Sequence, residues 1–223
     1  MNSRITGRVP SLLDGLLAEV DKALRTLSSA EPPARPMPSA SAGSAAVGDD
    51  APLTPSERNL SAALMRVNHA GEVAAQALYR GQALTTADPG VRTVLLEAAR
   101  EEQDHLAWCR QRVGELGGRT SLLGPVWYAG SFTLGAAAGL LSQSTALGFV
   151  VETERQVEAH LSDHLSRLPA ADDASRAIVT QMQGDEMAHG AQAQKLGAAE
   201  LPGPVRQGMR LLAKVMTTVA HRL

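Results

Sequence analysis

A pattern that occurs twice in this chain constrains its fold more than any other feature. A glutamate is followed about 30 residues later by Glu-x-x-His, and the six residues are Glu72, Glu102, His105, Glu154, Glu186 and His189. Residues three positions apart lie on the same face of an α-helix, so each Glu-x-x-His pair points to one place. A gap of about 30 residues covers most of one helix, a turn and the matching level of an antiparallel neighbour. The repeat therefore predicts four helices that bring four carboxylates and two imidazoles to one level of a bundle.

The rest of the sequence after residue 55 also indicates helices. Strand signals, such as apolar–polar alternation and Asn-Gly or Asp-Gly hairpin turns, are absent from it. Proline and glycine clusters divide this part into helices near 56–86, 91–116, 126–141, 145–168, 172–197 and 205–221. We predict an all-α fold: a ferritin-like four-helix bundle with an additional apolar hairpin helix and a C-terminal amphipathic helix.

The first 55 residues have a different composition. Leucine and valine recur at helical spacing over residues 10–27, which predicts a short amphipathic helix. Of the 28 residues in 28–55, 20 are Pro, Ser, Ala or Gly, a composition typical of linkers rather than of a packed core. The predicted organisation is a short N-terminal helix in 1–27, a flexible linker in 28–55 and the helical domain in 56–223.

The six repeated side chains form a ligand set that suits iron. Carboxylates and imidazoles without sulfur favour iron, and Glu with Glu-x-x-His on paired helices is the pattern of di-iron and di-manganese carboxylate proteins. Four buried carboxylates alone would be prohibitively costly, whereas two divalent cations offset their four negative charges. Two positions stay open on spacing alone. Glu101 is also within reach of His105, although the second copy favours Glu102 because Asp185 occupies the position equivalent to Glu101. Glu152 and Glu158 compete with Glu154.

Further residues near the repeat could hold the ligands in place, namely His69, Asp104, His160 and Asp185. His69 lies one turn before Glu72, where it could orient that carboxylate or equally face solvent. His160 and His164 are one turn apart and could pair with a metal or with solvent.

Composition argues against several other kinds of protein. The net charge is −2 with acidic and basic residues mixed, and only six residues are aromatic, so we expect no nucleic-acid partner. Cys109 is the single cysteine and is predicted to be a buried packing residue rather than a reactive thiol. Acidic residues interrupt the N-terminal apolar positions, so we expect no signal peptide and an intracellular setting.

A series of short motifs runs from residue 66 to residue 189. They are Arg66-Val67-Asn68-His69-Ala70-Gly71-Glu72, Gly81-Gln82, Glu102-Gln103-Asp104-His105, Pro125-Val126-Trp127, Gly135-Ala136, Glu154 with His160, and Glu186-x-x-His189. In this combination the chain resembles the Coq7 family, the demethoxyubiquinone hydroxylases. The family usually has Asp where this chain has Asn68. The resemblance covers residues 56–223 and leaves out the N-terminal helix and the linker.

The resemblance implies that the six repeated residues hold two iron ions. It favours Glu154 over its neighbours, because the family places a glutamate six residues before a histidine, here His160. The implied reaction is the O₂-dependent hydroxylation of 2-polyprenyl-3-methyl-6-methoxy-1,4-benzoquinol in ubiquinone biosynthesis. The chain has no GxGxxG or other obvious flavin or nicotinamide motif, so the electrons would come from the quinol, a separate reductase or a loosely bound nicotinamide.

Two segments suit a substrate that resides in a membrane. Residues 120–151 contain no charged residue and no histidine, but glycines and a proline interrupt them. We expect a hairpin that dips into the membrane surface; the alternative is a buried hairpin whose Gly and Ala allow close helix packing. The last helix carries an apolar seam beside Arg206, Arg210 and Lys214, which could lie on anionic lipid or could cover the bundle or a partner subunit. These features predict a peripheral protein on the cytoplasmic face of the cell membrane.

Two other functions compete with the hydroxylase. A ferritin-like or rubrerythrin-like protein would store iron or reduce peroxide, and the charge-free stretch of residues 120–151 argues against it. A non-enzymatic, lipid-binding helical scaffold would bind no stoichiometric iron. A homo-oligomer is compatible with all three functions.

Overall fold

The computed structural model describes residues 12–28, 32–39 and 52–223. Within these ranges the chain is all-α, and its helices are α1 (Leu12–Ser28), α2 (Pro55–Thr85), α3 (Pro89–Glu115), α4 (Gly124–Gly139), α5 (Gln143–Arg167), α6 (Asp173–Lys195) and α7 (Gly203–Ala220). The predicted all-α class is confirmed, and the predicted helix ends agree to within about two residues. The predicted start of the first helix at residue 10 lies outside the described residues.

Local capping explains where the bundle helices begin. Thr54 and Glu57 form a reciprocal capping box at the start of α2. The side chains of Asp88, Ser142 and Asp172 each accept a hydrogen bond from a backbone N–H in the first turn of α3, α5 and α6. The four helices that carry the repeated motif therefore start at positions encoded in the local sequence.

Helices α2, α3, α5 and α6 form the four-helix bundle, with α2 packed on α3 and α5 packed on α6. Two apolar layers fill its interior. One layer includes Leu64, Trp108 and Met182, and the other includes Tyr79 and Leu147. On every bundle helix the repeated Glu and His positions fall between these layers. The polar side chains are thus enclosed by apolar packing on both sides.

The apolar helix α4 packs against α2 at close range. A Cβ atom added to Gly135 would overlap the carbonyl of Leu78, and one added to Gly81 would overlap the carbonyl of Phe132. The two backbones can approach this closely only because glycine has no side chain. The close-packed hairpin that the sequence offered as an alternative is therefore present on the α2 side of α4.

The other side of α4 and part of α7 present apolar side chains to solvent. The exposed residues of α4 and its flanks are Leu122, Val126, Leu134, Leu140 and Leu141. The predicted apolar seam of α7 is mostly half-buried, with Val205 and Met209 packed next to Phe149. Leu212 of the predicted seam is exposed, together with Leu211 and Val215 beside it. Among the described residues, none of the helices combines the length and hydropathy needed to cross a membrane.

The described residues of the N-terminal part, 12–28 and 32–39, lie on the outside of the bundle. Helix α1 is attached to α2 by a two-pronged ion pair between Arg80 and Glu19, with N–O distances of 2.7 and 2.9 Å. Residues 32–39 have no regular secondary structure, yet Met37 packs against the Trp108 layer. This part of the predicted linker is therefore in contact with the bundle.

Candidate metal centre

The six repeated side chains meet in the interior of the bundle. Their donor atoms form two groups of four, and within each group all four atoms lie within 4.8 Å of one another. Glu102 and Glu186 belong to both groups. Glu72 and His105 complete the first group, and the second is completed by Glu154 and His189. Every one of the six residues is buried, as the sequence repeat predicts for a metal centre.

Both imidazoles turn the Nδ1 atom towards the carboxylates. The Nδ1 atom of His105 lies 3.0 Å from Glu102 and 3.2 Å from Glu186. The Nδ1 atom of His189 lies 3.2 Å from Glu186 and 3.6 Å from Glu154. The i, i+3 spacing produces this arrangement on α3 and α6 alike, because it stacks each histidine on the glutamate one turn earlier.

The opposite ring nitrogen of each histidine is held by an acidic residue of the other helix. The Nε2 atom of His105 lies 2.9 Å from Asp185, and the Nε2 atom of His189 lies 3.0 Å from Glu101. A carboxylate at this nitrogen fixes the ring orientation and the tautomer that a metal-binding histidine needs. The two contacts are equivalent, because Asp185 and Glu101 each directly precede the cluster glutamate of their own helix and each contacts the histidine of the other helix.

Glu101 and Glu102 lie differently with respect to the two groups. Glu102 is fully buried within both groups, whereas the Glu101 side chain is 48% exposed and contacts His189 from outside. The correspondence between Glu101 and Asp185 in the two copies favoured Glu102 as the ligand, but it did not predict that Glu101 contacts His189.

Burial and mutual repulsion shape the charges of the cluster. Desolvation, followed by the charge of Glu186, raises the pKa of Glu154 to about 8 and the pKa of Glu102 well above its usual value. Desolvation also acts to raise the pKa of Glu186, but hydrogen bonds from the two histidines outweigh it and lower this pKa to about 2. Desolvation opposes the charge of His189, yet bonds to Glu154 and Glu186 raise its pKa to about 12.

Several carboxylate oxygens of the cluster are buried without a hydrogen-bond partner among the described residues. They are Glu72 Oε2, Glu102 Oε1 and Glu154 Oε2. A buried oxygen without a partner is costly, and a metal ion removes that cost by coordinating it. Oxygen and imidazole donors suit iron. The residues present therefore fit a pair of divalent cations.

Comparison with known proteins identifies the family. The model of the family described as ubiquinone biosynthesis protein COQ7 matches residues 59–220. This chain belongs to the COQ7 family.

Relatives match along almost the entire chain. The 3-demethoxyubiquinol 3-hydroxylase of Variovorax paradoxus strain S110 is 58% identical over 213 residues, which cover 96% of this chain and 99% of the relative. The protein of the same name from Ralstonia pickettii strain 12J is 54% identical over 95% of this chain and 100% of its own length. The protein of that name from Dechloromonas aromatica strain RCB is 53% identical over 94% of this chain and 98% of its own.

One further residue of this COQ7-family chain contacts the cluster and was not predicted. The hydroxyl of Tyr79 donates a hydrogen bond to Glu154 Oε1, and the ring is fully buried. Tyr79 follows Glu72 by seven residues, two helical turns, so it lies on the same face of α2. That spacing was visible in the sequence, but an apolar neighbourhood made a packing role equally plausible.

The remaining candidates lie around the cluster rather than in it. Glu152 is bound by Arg155 and Gln156 on its own helix, away from both groups. His69 is buried, so the solvent-facing alternative is wrong, and no hydrogen bond joins it to the cluster among the described residues. Its burial lowers its pKa to about 3.

His160 packs on His164, with ring centroids 3.8 Å apart. Cys109 is buried, as predicted for a packing residue. Asp104 accepts hydrogen bonds from the segment 32–39, described below.

Proposed function

We propose that this protein is an O₂-dependent di-iron monooxygenase that hydroxylates the ring of demethoxyubiquinol, 2-polyprenyl-3-methyl-6-methoxy-1,4-benzoquinol. The observation that carries the proposal is the pair of buried four-residue groups that share Glu102 and Glu186. Membership of the COQ7 family and similarity to 3-demethoxyubiquinol 3-hydroxylases over nearly the whole chain support the choice of reaction.

Each of the two groups would bind one of two iron ions. Glu102 and Glu186 would bridge the pair, because each belongs to both groups. Glu72 and His105 would bind one ion, and Glu154 and His189 the other. The bound iron pair supplies the activation of O₂. The protein contributes orientation and exclusion of water: Asp185 and Glu101 fix the imidazoles, and all six ligand side chains are buried.

The proposed reaction replaces a ring C–H bond by C–OH. One atom of O₂ enters the ring and the other leaves as water, which requires two electrons and two protons in addition to O₂. The sequence contains no GxGxxG or other obvious flavin or nicotinamide motif. We therefore propose that the two electrons come from an external donor or from the quinol itself.

The exposed apolar side chains of α4 and α7 suit a peripheral position on the cytoplasmic face of the cell membrane. Leu140, Leu211 and Leu212 are 73%, 64% and 62% exposed. Arg210 and Lys214 are exposed on α7 beside this apolar set. Basic residues next to exposed leucines favour an anionic lipid surface, where a polyprenyl quinol is found.

Residues 56–223 would form the catalytic domain, with the helix of 1–27 and the segment 28–55 added to it.

The proposal is tested by supplying iron-loaded protein with demethoxyubiquinol, a reductant and ¹⁸O₂. We expect a product heavier by one oxygen atom that carries the label, and accumulation of the demethoxy quinone in a strain that lacks the gene. A protein that oxidises and retains iron or reduces peroxide, but leaves the quinol unchanged, would be an iron or peroxide protein instead. A protein without stoichiometric iron would be a scaffold.

A further inference from the structure

Residues 32–39, called the strap below, lie across the outside of the bundle next to the metal centre. The strap is fixed by backbone as well as side-chain contacts. The backbone N–H of Ala34 donates to Asp104 Oδ1 at 2.6 Å, and the indole N–H of Trp108 donates to the carbonyl of Arg35 at 3.4 Å. Met37 packs against the apolar layer around Trp108. A segment whose composition predicts a linker is thus bound at a defined place.

The Arg35 side chain connects this strap to the metal centre. Its Nε atom lies 2.7 Å from Asp104 Oδ2, and its terminal nitrogen lies 2.9 Å from Asp185 Oδ2. The same Asp185 oxygen is 2.9 Å from Nε2 of His105. The guanidinium also stacks over the Trp108 ring at 4.9 Å. One planar cation therefore holds two carboxylates, one on α3 and one on α6.

We propose that Arg35 is a positioning residue of the metal centre. It fixes the carboxylate of Asp185 against Nε2 of His105, so that Nδ1 of this histidine stays directed at Glu102 and Glu186. The inference rests on the proposed function to the extent that the cluster holds iron.

The two halves of the centre differ in how the carboxylate at Nε2 of the histidine is held. The Asp185 side chain is 14% exposed and paired with Arg35, whereas the Glu101 side chain, which holds His189, is 48% exposed. No arginine or lysine forms an ion pair with Glu101 within the described part of the chain. A partner that is itself held loses less rotamer freedom when it binds a histidine. Arg35 therefore makes the half that contains His105 the more rigid of the two.

Asp104 explains why an arginine is needed rather than a lysine. This carboxylate is almost completely buried and accepts from two backbone N–H groups of the strap as well as from Arg35. The flat guanidinium reaches Asp104 and Asp185 with separate nitrogens, which a single ammonium group cannot reproduce in the same geometry. Arg35→Lys keeps the charge and loses this bridging geometry.

The experiment measures the rate at which full-length, iron-loaded protein releases iron to a ferrous chelator. We expect Arg35→Gln to release iron about 10-fold faster or more, the size of effect typical of lost support for a metal ligand, and Arg35→Lys to recover only part of the loss. Arg167→Gln is the matched control, because Arg167 forms an exposed ion pair with Asp163 on α5. It should release iron at the wild-type rate.

Double variants separate positioning from a general loss of structure. If Arg35 acts through Asp185, adding Arg35→Gln to Asp185→Asn changes the release rate little further. Adding Arg35→Gln to Glu101→Gln should multiply the two effects, because Glu101 supports the other histidine. Circular dichroism melting of each metal-free variant checks that the fold is intact.

Two results would overturn the inference. One is iron release by Arg35→Gln within twofold of wild type; the other is an Arg35→Gln effect that multiplies fully with that of Asp185→Asn. Failure of the wild-type chain to bind stoichiometric iron would refute the proposed centre, and the positioning role with it. Iron binding without quinol hydroxylation would refute the proposed reaction and leave the role of Arg35 intact.

Discussion

The buried side chain of Glu154 makes the stability of the metal-free protein depend on pH. Burial and the charge of Glu186 raise its pKa to about 8, so the folded protein keeps a proton that the unfolded chain releases near pH 4.5. This contribution to stability is complete below pH 4.5 and is lost as pH rises through about 8. His189 acts in the same direction above pH 6.5, because its pKa is raised to about 12.

In the window from pH 6.5 to 8, Glu102 and His105, whose pKa values are also raised, act in the same direction as Glu154 and His189. Desolvation lowers the pKa values of His69, His160 and His164 to about 3, 4 and 2; His69 and His164 are buried and His160 is partly buried. Their opposite contribution to stability is complete once pH exceeds 6.5. We predict that the free energy of unfolding of the metal-free protein falls by about 1 kcal/mol per pH unit or more across this window.

Urea unfolding at several pH values measures this slope. Glu154→Gln should make it shallower, and Glu97→Gln, at an exposed position of α3, should leave it unchanged. A wild-type stability that rises from pH 6.5 to 8 would contradict the charge assignment.

Tyr79 is a second residue whose contribution can be isolated. Tyr79→Phe removes the hydrogen bond to Glu154 and leaves the apolar ring in place. Loss of a hydrogen bond to a metal-ligating carboxylate typically weakens metal binding about 10-fold. Iron titration should show this loss, and Tyr128→Phe, on α4 in a separate apolar cluster, should bind iron normally. Equal affinities for the two variants would remove Tyr79 from the centre.

At the scale of helices, the periodicity of the sequence was sufficient to predict which residues share a helix face and which helices bring them to one level. The i, i+3 spacing places Glu102 with His105, and the interval of about 30 residues brings antiparallel neighbours to the same level. The choice between Glu101 and Glu102 could not be made this way. Both lie within a turn of His105, and only the facing helix decides which carboxylate points inward and which binds His189.

Arg35 lay beyond the reach of sequence patterns. It is 69 residues from Asp104 along the chain, and proline, alanine and serine surround it. Its contacts depend on long-range packing of an irregular segment, which has no periodicity to detect. The same limit applies to Met37, which is partly buried and packs against the Trp108 layer although the composition of its segment predicts a linker.

Packing of α4 on α2 gives a prediction at this scale. Gly135→Ala would force the two backbones apart, since the added Cβ overlaps the Leu78 carbonyl, and should destabilise the protein by about 1–3 kcal/mol. Gly130→Ala on the same helix has free space around the new Cβ and should be neutral or slightly stabilising. Chemical denaturation of both variants tests this contrast. Equal destabilisation would mean that α4 does not pack closely at Gly135.

For the whole molecule, the exposed apolar residues of α4 and α7 would form the proposed contact with the membrane. We predict that Leu211→Gln combined with Leu212→Gln reduces binding to anionic vesicles several-fold, because two exposed leucines are lost from one surface. Met187→Gln combined with Leu196→Gln removes exposed apolar residues elsewhere and should bind normally. Vesicle flotation measures both, and equal binding would place the membrane contact on another surface.

Weaker membrane binding of the Leu211→Gln, Leu212→Gln variant should also change its kinetics. The α7 variant should have a raised KM for a quinol with a long polyprenyl tail and an unchanged kcat for a short-tailed analogue that stays in water. A change in kcat for the short analogue would instead indicate damage to the metal centre.

Titration of the metal-free protein with Fe²⁺ measures whether the six buried side chains hold two ions, on which the proposed reaction and the role of Arg35 both depend. We expect two ions per wild-type chain and loss of this binding in Glu186→Ala, because Glu186 belongs to both groups. A wild-type chain that binds no iron, or a Glu186→Ala variant that still binds two ions, would contradict this expectation.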